Sequence, residues 1–151
     1  MKQGMGILNT DKVKDNLFLD RVGTELKRAE RYRIFISLIV LDVDFIKSVF
    51  PRQSESILND IMGLVQKHIR AIDNISLLDS FKLGLLFPET TRQGAEIASK
   101  RISEIIRNRL SELNDKKLDQ VIPLEMASYP DAAGAKSITD FLQEYSEKHL
   151  N

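Results

Sequence analysis

The chain contains no cysteine and no tryptophan. Without cysteine there is no disulfide, no thiolate metal ligand and no thiol nucleophile, so the fold must be held by its core. An excess of charge is missing too, because 22 lysines and arginines balance 22 aspartates and glutamates. Binding to nucleic acid or a membrane surface through bulk charge calls for a basic excess, so neither partner is expected. No apolar run approaches the ~20 residues of a membrane-spanning helix. The opening "MKQGMGILNTDKVK" lacks the apolar stretch of a secretory signal. The setting these absences imply is cytoplasmic and of bacterial type. What remains is a 151-residue chain, 42% hydrophobic and 29% charged, enough for one soluble domain with a real core.

Apolar periodicity divides the chain into alternating elements. A first helix is expected from Asp15 or Asn16, either of which can cap it, with Phe18, Val22, Leu26 and Ala29 on one face. Residues 1–14 are expected to be a flexible lead-in. "IFISLIVLDV", Ile34 to Val43, is apolar at successive positions and reads as a central strand covered on both faces. A second helix carries Ile57, Ile61, Leu64, Val65 and Ile69. "DNISLLDSFKLGLLFPET", Asp73 to Thr90, places two short apolar runs around a turn and predicts a β-hairpin. Thr90 and Gln93 fit a capping box for a third helix, with Ala95, Ala98, Ile102, Ile105, Ile106 and Leu110 buried. "VIPLEMASYP" predicts a strand near a sheet edge, because Pro123 has no N–H to give. A last helix, capped by Ser137, buries Ile138, Phe141, Leu142 and Tyr145. The order α-β-α-β-β-α-β-α, without repeat or linker, predicts a single α+β domain over 1–151.

This order, with "FLDRVGTELKRAERYRIFISLIVLDVDFIK", "IRAIDNISLLDSFKLGLLFPETTRQGAEIASKRI" and "MASYPDA", resembles the diguanylate cyclase (GGDEF) family over roughly Phe18 to Leu142. The resemblance implies a ferredoxin-like, polymerase-palm-type fold, a mainly antiparallel sheet flanked by helices. Members of that family join two GTP molecules into cyclic di-GMP, a reaction that needs magnesium ions to neutralise the triphosphate and activate a 3′-hydroxyl. Asp42 matches the family's first metal ligand.

The hairpin tip departs from the pattern. The family's GGDEF signature falls on "DSFKL", Asp79 to Leu83. Its two glycines are replaced by Asp79 and Ser80, its metal-binding acid by Phe81 and the next acid by Lys82. Phenylalanine cannot ligate magnesium, which takes hard oxygens. The guanine-reading asparagine is replaced by Phe50, and the family's early "LTGLxNR" turn is absent. The expectation is therefore no catalytic residue, no metal, no cofactor and no enzyme activity.

A second family feature is kept. Its mark is RxxD five residues ahead of the signature, and "RAID" supplies Arg70 and Asp73 at that distance. A further family arginine, thirteen residues after the hairpin's proline, falls on Arg101. The resemblance implies that Arg70, Asp73 and Arg101 bind cyclic di-GMP. An arginine fork can take a phosphate or the O6/N7 edge of guanine, and a carboxylate can accept from guanine N–H groups. Arg70 is expected at the end of the second helix, Asp73 in the following turn and Arg101 on the third helix. Read without the family, RxxD is an ordinary helix end and turn, and Arg101 is a solvated neighbour of Glu96 or Glu104.

Asp42 and Asp44 have the chemistry for a lone cation but lack a third ligand. Lys82 and Lys47 are candidates to pair with Asp79 and Asp42 across the altered tip. His68 and His149 show no ligand spacing and read as structural or surface residues. The reading is a catalytically inactive signalling domain that acts as a cyclic di-GMP receptor, a protein-interaction module, or both. Its rival is a scaffold that binds no nucleotide. A protein partner is expected, and a homodimer is compatible with either.

Overall fold

The computed structural model describes residues 3–131 and 134–150, with side chains over 17–131 and 134–146. The segment Ile36–Asp42 forms β1, with six residues in a row buried. That run has no polar face to give to water, so it takes the middle of the sheet. β2 (Asn74–Asp79) and β3 (Lys82–Pro88) form the hairpin, followed in the chain by β4 (Leu124–Tyr129) and β5 (Lys136–Ser137). The five strands lie in the order β2-β3-β1-β4-β5. All neighbours are antiparallel except β4 and β5, which are parallel. The expected α+β, mainly antiparallel architecture is present, with β1 central.

Strand alternation sends odd and even residues of β1 to different layers. Ile39 and Leu41 pack with Ile57, Ile61 and Val65 of α3 (Ser54–Gln66) and with Ala95, Ile102, Ile106 and Leu110 of α4 (Arg92–Asn114). Ile36, Leu38 and Val40 pack on the other face. Their partners are Phe18, Val22, Leu26 and Ala29 of α1 (Gln3–Tyr32), and Ile138, Phe141 and Tyr145 of α5 (Ile138–Leu150). A four-residue helix, α2 (Ile46–Val49), links β1 to α3. Gly84 of β3 leaves room for the close packing of Leu78 and Phe18 on the second face. A Cβ there would lie 2.7 Å from Leu78 Cδ1 and 3.0 Å from Phe18 Cε2.

Several boundaries differ from those expected. The helix expected from Asp15 or Asn16 begins at Gln3, so residues 3–14 of the lead-in are helical. Residues 3–14 contain no proline to interrupt a helix. α3 ends at Gln66, so Ile69 and Arg70 lie in the connection beyond it. β4 is near the sheet edge as expected, second from it, with only the two-residue β5 beyond. Pro123 precedes β4, and its carbonyl accepts from the Asp42 N–H at 3.0 Å, a role that needs no proline N–H. Ser137 caps α5 as expected, its hydroxyl accepting from the Asp140 N–H at 3.0 Å.

Candidate functional site

The hairpin tip and the end of β1 form one corner of the sheet. Asp42 pairs in register with Lys82, and Lys82 pairs with Asp79 after a shift in the β2 register. Ser80 and Phe81 make the turn, and the Phe81 carbonyl accepts from the Val43 N–H at 2.8 Å. The Phe81 ring is 6% exposed and belongs to the core that α3 and α4 cover. Lys47, on α2, places its ammonium 4.9 Å from the centre of that ring. The same ammonium pairs with Asp44 at 3.0 Å, and Asp42 Oδ1 accepts from the Asp44 N–H at 2.9 Å.

Lys47 therefore pairs with Asp44 rather than Asp42, Asp44 lying three residues before it in the turn that leads into α2. Among the described residues Lys82 makes no ion pair with Asp79. This corner does not fit a magnesium ion. One expected ligand position presents a buried hydrocarbon ring with a fixed positive charge on its face, and magnesium takes oxygen donors. Among the described residues no group of three or more histidines, aspartates or glutamates converges as a metal site. Phe50, which the resemblance sets where the family carries its guanine-reading asparagine, is buried in the same core.

Arg70 and Asp73 lie at the opposite end of β2. They close a turn: the Asp73 N–H donates to the Arg70 carbonyl at 3.0 Å, and the Arg70 N–H donates to Asp73 Oδ2 at 2.8 Å. Arg70 Nε donates to both Asp73 carboxylate oxygens at 3.2 Å. Arg70 Nη2 lies 2.9 Å from Asp73 Oδ1, 2.8 Å from the Pro88 carbonyl and 2.6 Å from Thr90 Oγ1. The Asp73 side chain is 3% exposed and that of Arg70 51%. Asp73 was expected to accept from a ligand, and it does not have the access: its oxygens are spent on Arg70 within the turn. Arg70 was expected at a helix end and instead sits four residues beyond α3.

Arg101 projects from α4, and its Nη1 donates to the His68 carbonyl at 3.0 Å, two residues before Arg70. It reaches this turn rather than pairing with Glu96 or Glu104. The His68 ring nitrogen Nδ1 lies 2.9 Å from the Leu64 carbonyl, a local bond that suits a surface residue. The His149 side chain lies outside the described residues. Of the three site residues, the structure thus brings Arg70 and Arg101 to the same connection between α3 and β2 and encloses Asp73 within its turn.

Thr90 was missed as a partner of Arg70 because it was assigned to the helix cap. The cap is Thr91, whose hydroxyl accepts from the Gly94 N–H at 3.0 Å. Two adjacent threonines precede α4 and only one can be its N-cap, which is the sequence signal that the other was free for a different role.

Comparison with solved structures places the chain among GGDEF-domain folds. The GGDEF domain of TpbB (also called YfiN) from Pseudomonas aeruginosa matches with a TM-score of 0.63 at 16% identity, over 89% of this chain and 80% of that one. The diguanylate cyclase SiaD from Pseudomonas aeruginosa, solved in complex with its activator SiaC, matches with a TM-score of 0.70 at 19% identity. That match covers 99% of this chain and 62% of SiaD. The GGDEF domain of DgcB from Caulobacter crescentus, solved in complex with cyclic di-GMP, matches with a TM-score of 0.61 at 16% identity, over 90% of this chain and 82% of that one. No protein-family model matches the sequence, and no curated protein does. At these identities the likeness establishes the fold: the chain has the GGDEF-domain fold.

Proposed function

We propose that this chain is a catalytically inactive GGDEF-fold signalling domain that receives cyclic di-GMP at the turn bearing Arg70 and faced by Arg101. The observation that carries the reading is that the Arg101 guanidinium rests on the His68 carbonyl, so that both arginines lie at the exposed connection between α3 and β2. Cyclic di-GMP carries two phosphates and two guanine edges, all of them acceptors for arginine. The proposed inactivity is supported by the chemistry of the tip, where Phe81 stands at the position of the metal-binding acid and carries the Lys47 ammonium over its ring. Among proteins of the same fold, DgcB has been solved with cyclic di-GMP and SiaD with a protein activator. Both kinds of partner therefore occur on this scaffold.

A second reading, a protein-interaction module without nucleotide, is favoured by the burial of Asp73 and by apolar surface beside the arginines. Ile72 is 50% exposed and Ile97, one helical turn before Arg101, is 67% exposed. Thermal unfolding separates the two. A ligand that binds only the folded state raises the melting temperature with its concentration. The receptor reading expects such a rise with cyclic di-GMP in the native chain and its loss in Arg101→Ala. A melting curve that cyclic di-GMP leaves unmoved selects the interaction module.

A further inference from the structure

The turn at 67–73 and helix α4 are tied together twice, in opposite directions. Arg101 on α4 donates to the His68 carbonyl in the turn. Arg70 in the turn donates to Thr90 Oγ1, just ahead of α4. Thr90 is itself fixed from several sides. Its carbonyl accepts from the buried Ser37 hydroxyl of β1 at 2.9 Å, and its hydroxyl donates to the Pro88 carbonyl at 3.0 Å. Glu89 between them has a φ of 53°, a left-handed conformation that folds the chain back so that residues 88 and 90 face the same arginine. Thr91 then caps α4.

Asp73 alone cannot fix where Arg70 points relative to Arg101. It lies three residues away in the same turn and would move with it. The Pro88 carbonyl and Thr90 are the partners of Arg70 that belong to the sheet and the α4 start. Of these, only Thr90 can be changed at its side chain. Together the three partners occupy the Nε and Nη2 side of the guanidinium, and among the described residues Nη1 has no hydrogen bond.

We infer that Thr90 is a positioning residue for Arg70. Together with the Pro88 carbonyl, its hydroxyl ties the guanidinium to the sheet and the α4 start, so that the Nη1 end, and not the Nε/Nη2 fork that Asp73 occupies, faces an incoming acceptor. For the ligand this deepens the receptor reading above and rests on it. Arg70 would contribute one charge-assisted contact, to a phosphate or guanine oxygen of cyclic di-GMP, rather than a paired one.

The experiment compares native protein, Thr90→Val and Thr90→Ser by two readouts. One is the affinity for cyclic di-GMP. The other is the nitrogen-15 NMR signal of the Arg70 guanidinium in the free protein, which reports restricted rotation. Valine keeps the shape and loses the hydroxyl, and serine keeps the hydroxyl. The expected result is a mobile Arg70 guanidinium and about three- to tenfold weaker binding in Thr90→Val, with both restored in Thr90→Ser. Unchanged Arg70 mobility in Thr90→Val overturns the inference, and so does a serine variant that behaves like valine. If native protein binds no cyclic di-GMP, the receptor reading falls. The guanidinium signal still decides the role of Thr90.

Discussion

The Lys47 ammonium lies 4.9 Å from the centre of the Phe81 ring, over the corner where a cyclase would gather oxygen ligands. A cation on an aromatic face contributes about 0.5–1 kcal/mol at an exposed site. The paired Asp44 is 63% exposed, so its ion pair adds little. Lys47→Ala should therefore cost about 1 kcal/mol or less in urea unfolding. Phe81→Asp should cost much more, on the order of 3 kcal/mol or above, because it removes a core ring and buries a carboxylate. It should not create a cyclase, since Asp79, Ser80, Lys82 and Phe50 still depart from the family's pattern. Incubation with GTP and magnesium or manganese, analysed for cyclic di-GMP, checks this. Product from the native chain, lost in Asp42→Ala, would refute the inactive reading.

Arg70 and Arg101 should behave differently when truncated. Arg101→Ala loses one bond to a carbonyl and should weaken cyclic di-GMP binding by roughly tenfold to a hundredfold, the worth of one charge-assisted bond, with melting nearly unchanged. Arg70→Ala should weaken binding and also lower stability by about 1–3 kcal/mol, because it strands the enclosed Asp73 carboxylate without its partner. Arg70→Lys should recover neither fully, since an ammonium lacks the planar set of donors that spans Asp73, Pro88 and Thr90. Paired affinity and urea measurements on the three variants decide it. An Arg70→Ala protein as stable as native would show the Asp73 contact to be unimportant.

What could be read from the sequence depended on whether the signal was local. Six buried residues running through β1 left no choice but the middle of a sheet, and the hairpin followed from its two apolar runs. Ser137 was legible as a cap because no rival stood beside it. Thr90 was not, because Thr91 competed for the same role, and only the bonds of Thr91 to the Gly94 N–H and of Thr90 to Arg70 and Pro88 separate them. Pro123 suggested a strand near the sheet edge on the strength of its missing N–H, and β4 is second from that edge. The sheet uses its carbonyl instead, a fact that depends on Asp42 some eighty residues earlier. Asp73 matched a ligand-binding pattern in spacing, but access is set by the turn that Arg70 closes over it. Spacing identified which residues meet, while the direction of each side chain was fixed by partners remote in sequence.

Asp60 on α3 and Arg109 on α4 form a two-point contact, Nε to Oδ1 at 3.0 Å and Nη2 to Oδ2 at 2.9 Å. The hydrogen bond from Arg109 holds the Asp60 carboxyl below its usual range, against a smaller opposing effect of burial. A carboxyl whose pKa is lower in the folded than in the unfolded chain adds stability above the unfolded value, and loses it as pH falls through the folded one. Asp60→Asn should therefore be less stable than native protein at pH 7. The difference should shrink once pH drops below about 4, the ordinary aspartate range. Urea unfolding of both proteins from pH 7 downwards tests this. A gap that stays constant into strong acid would mean that Asp60 acts through packing and not through its charge.

The central claim, that this fold has kept a cyclic di-GMP receptor surface after losing its catalytic corner, meets its most direct test in one calorimetric titration. Native protein is titrated with cyclic di-GMP at low ionic strength, where the contacts of exposed arginines are least screened. The account predicts saturable heat, with Arg101→Ala binding more weakly under the same conditions. No heat up to millimolar ligand, or equal affinity in Arg101→Ala, would contradict it.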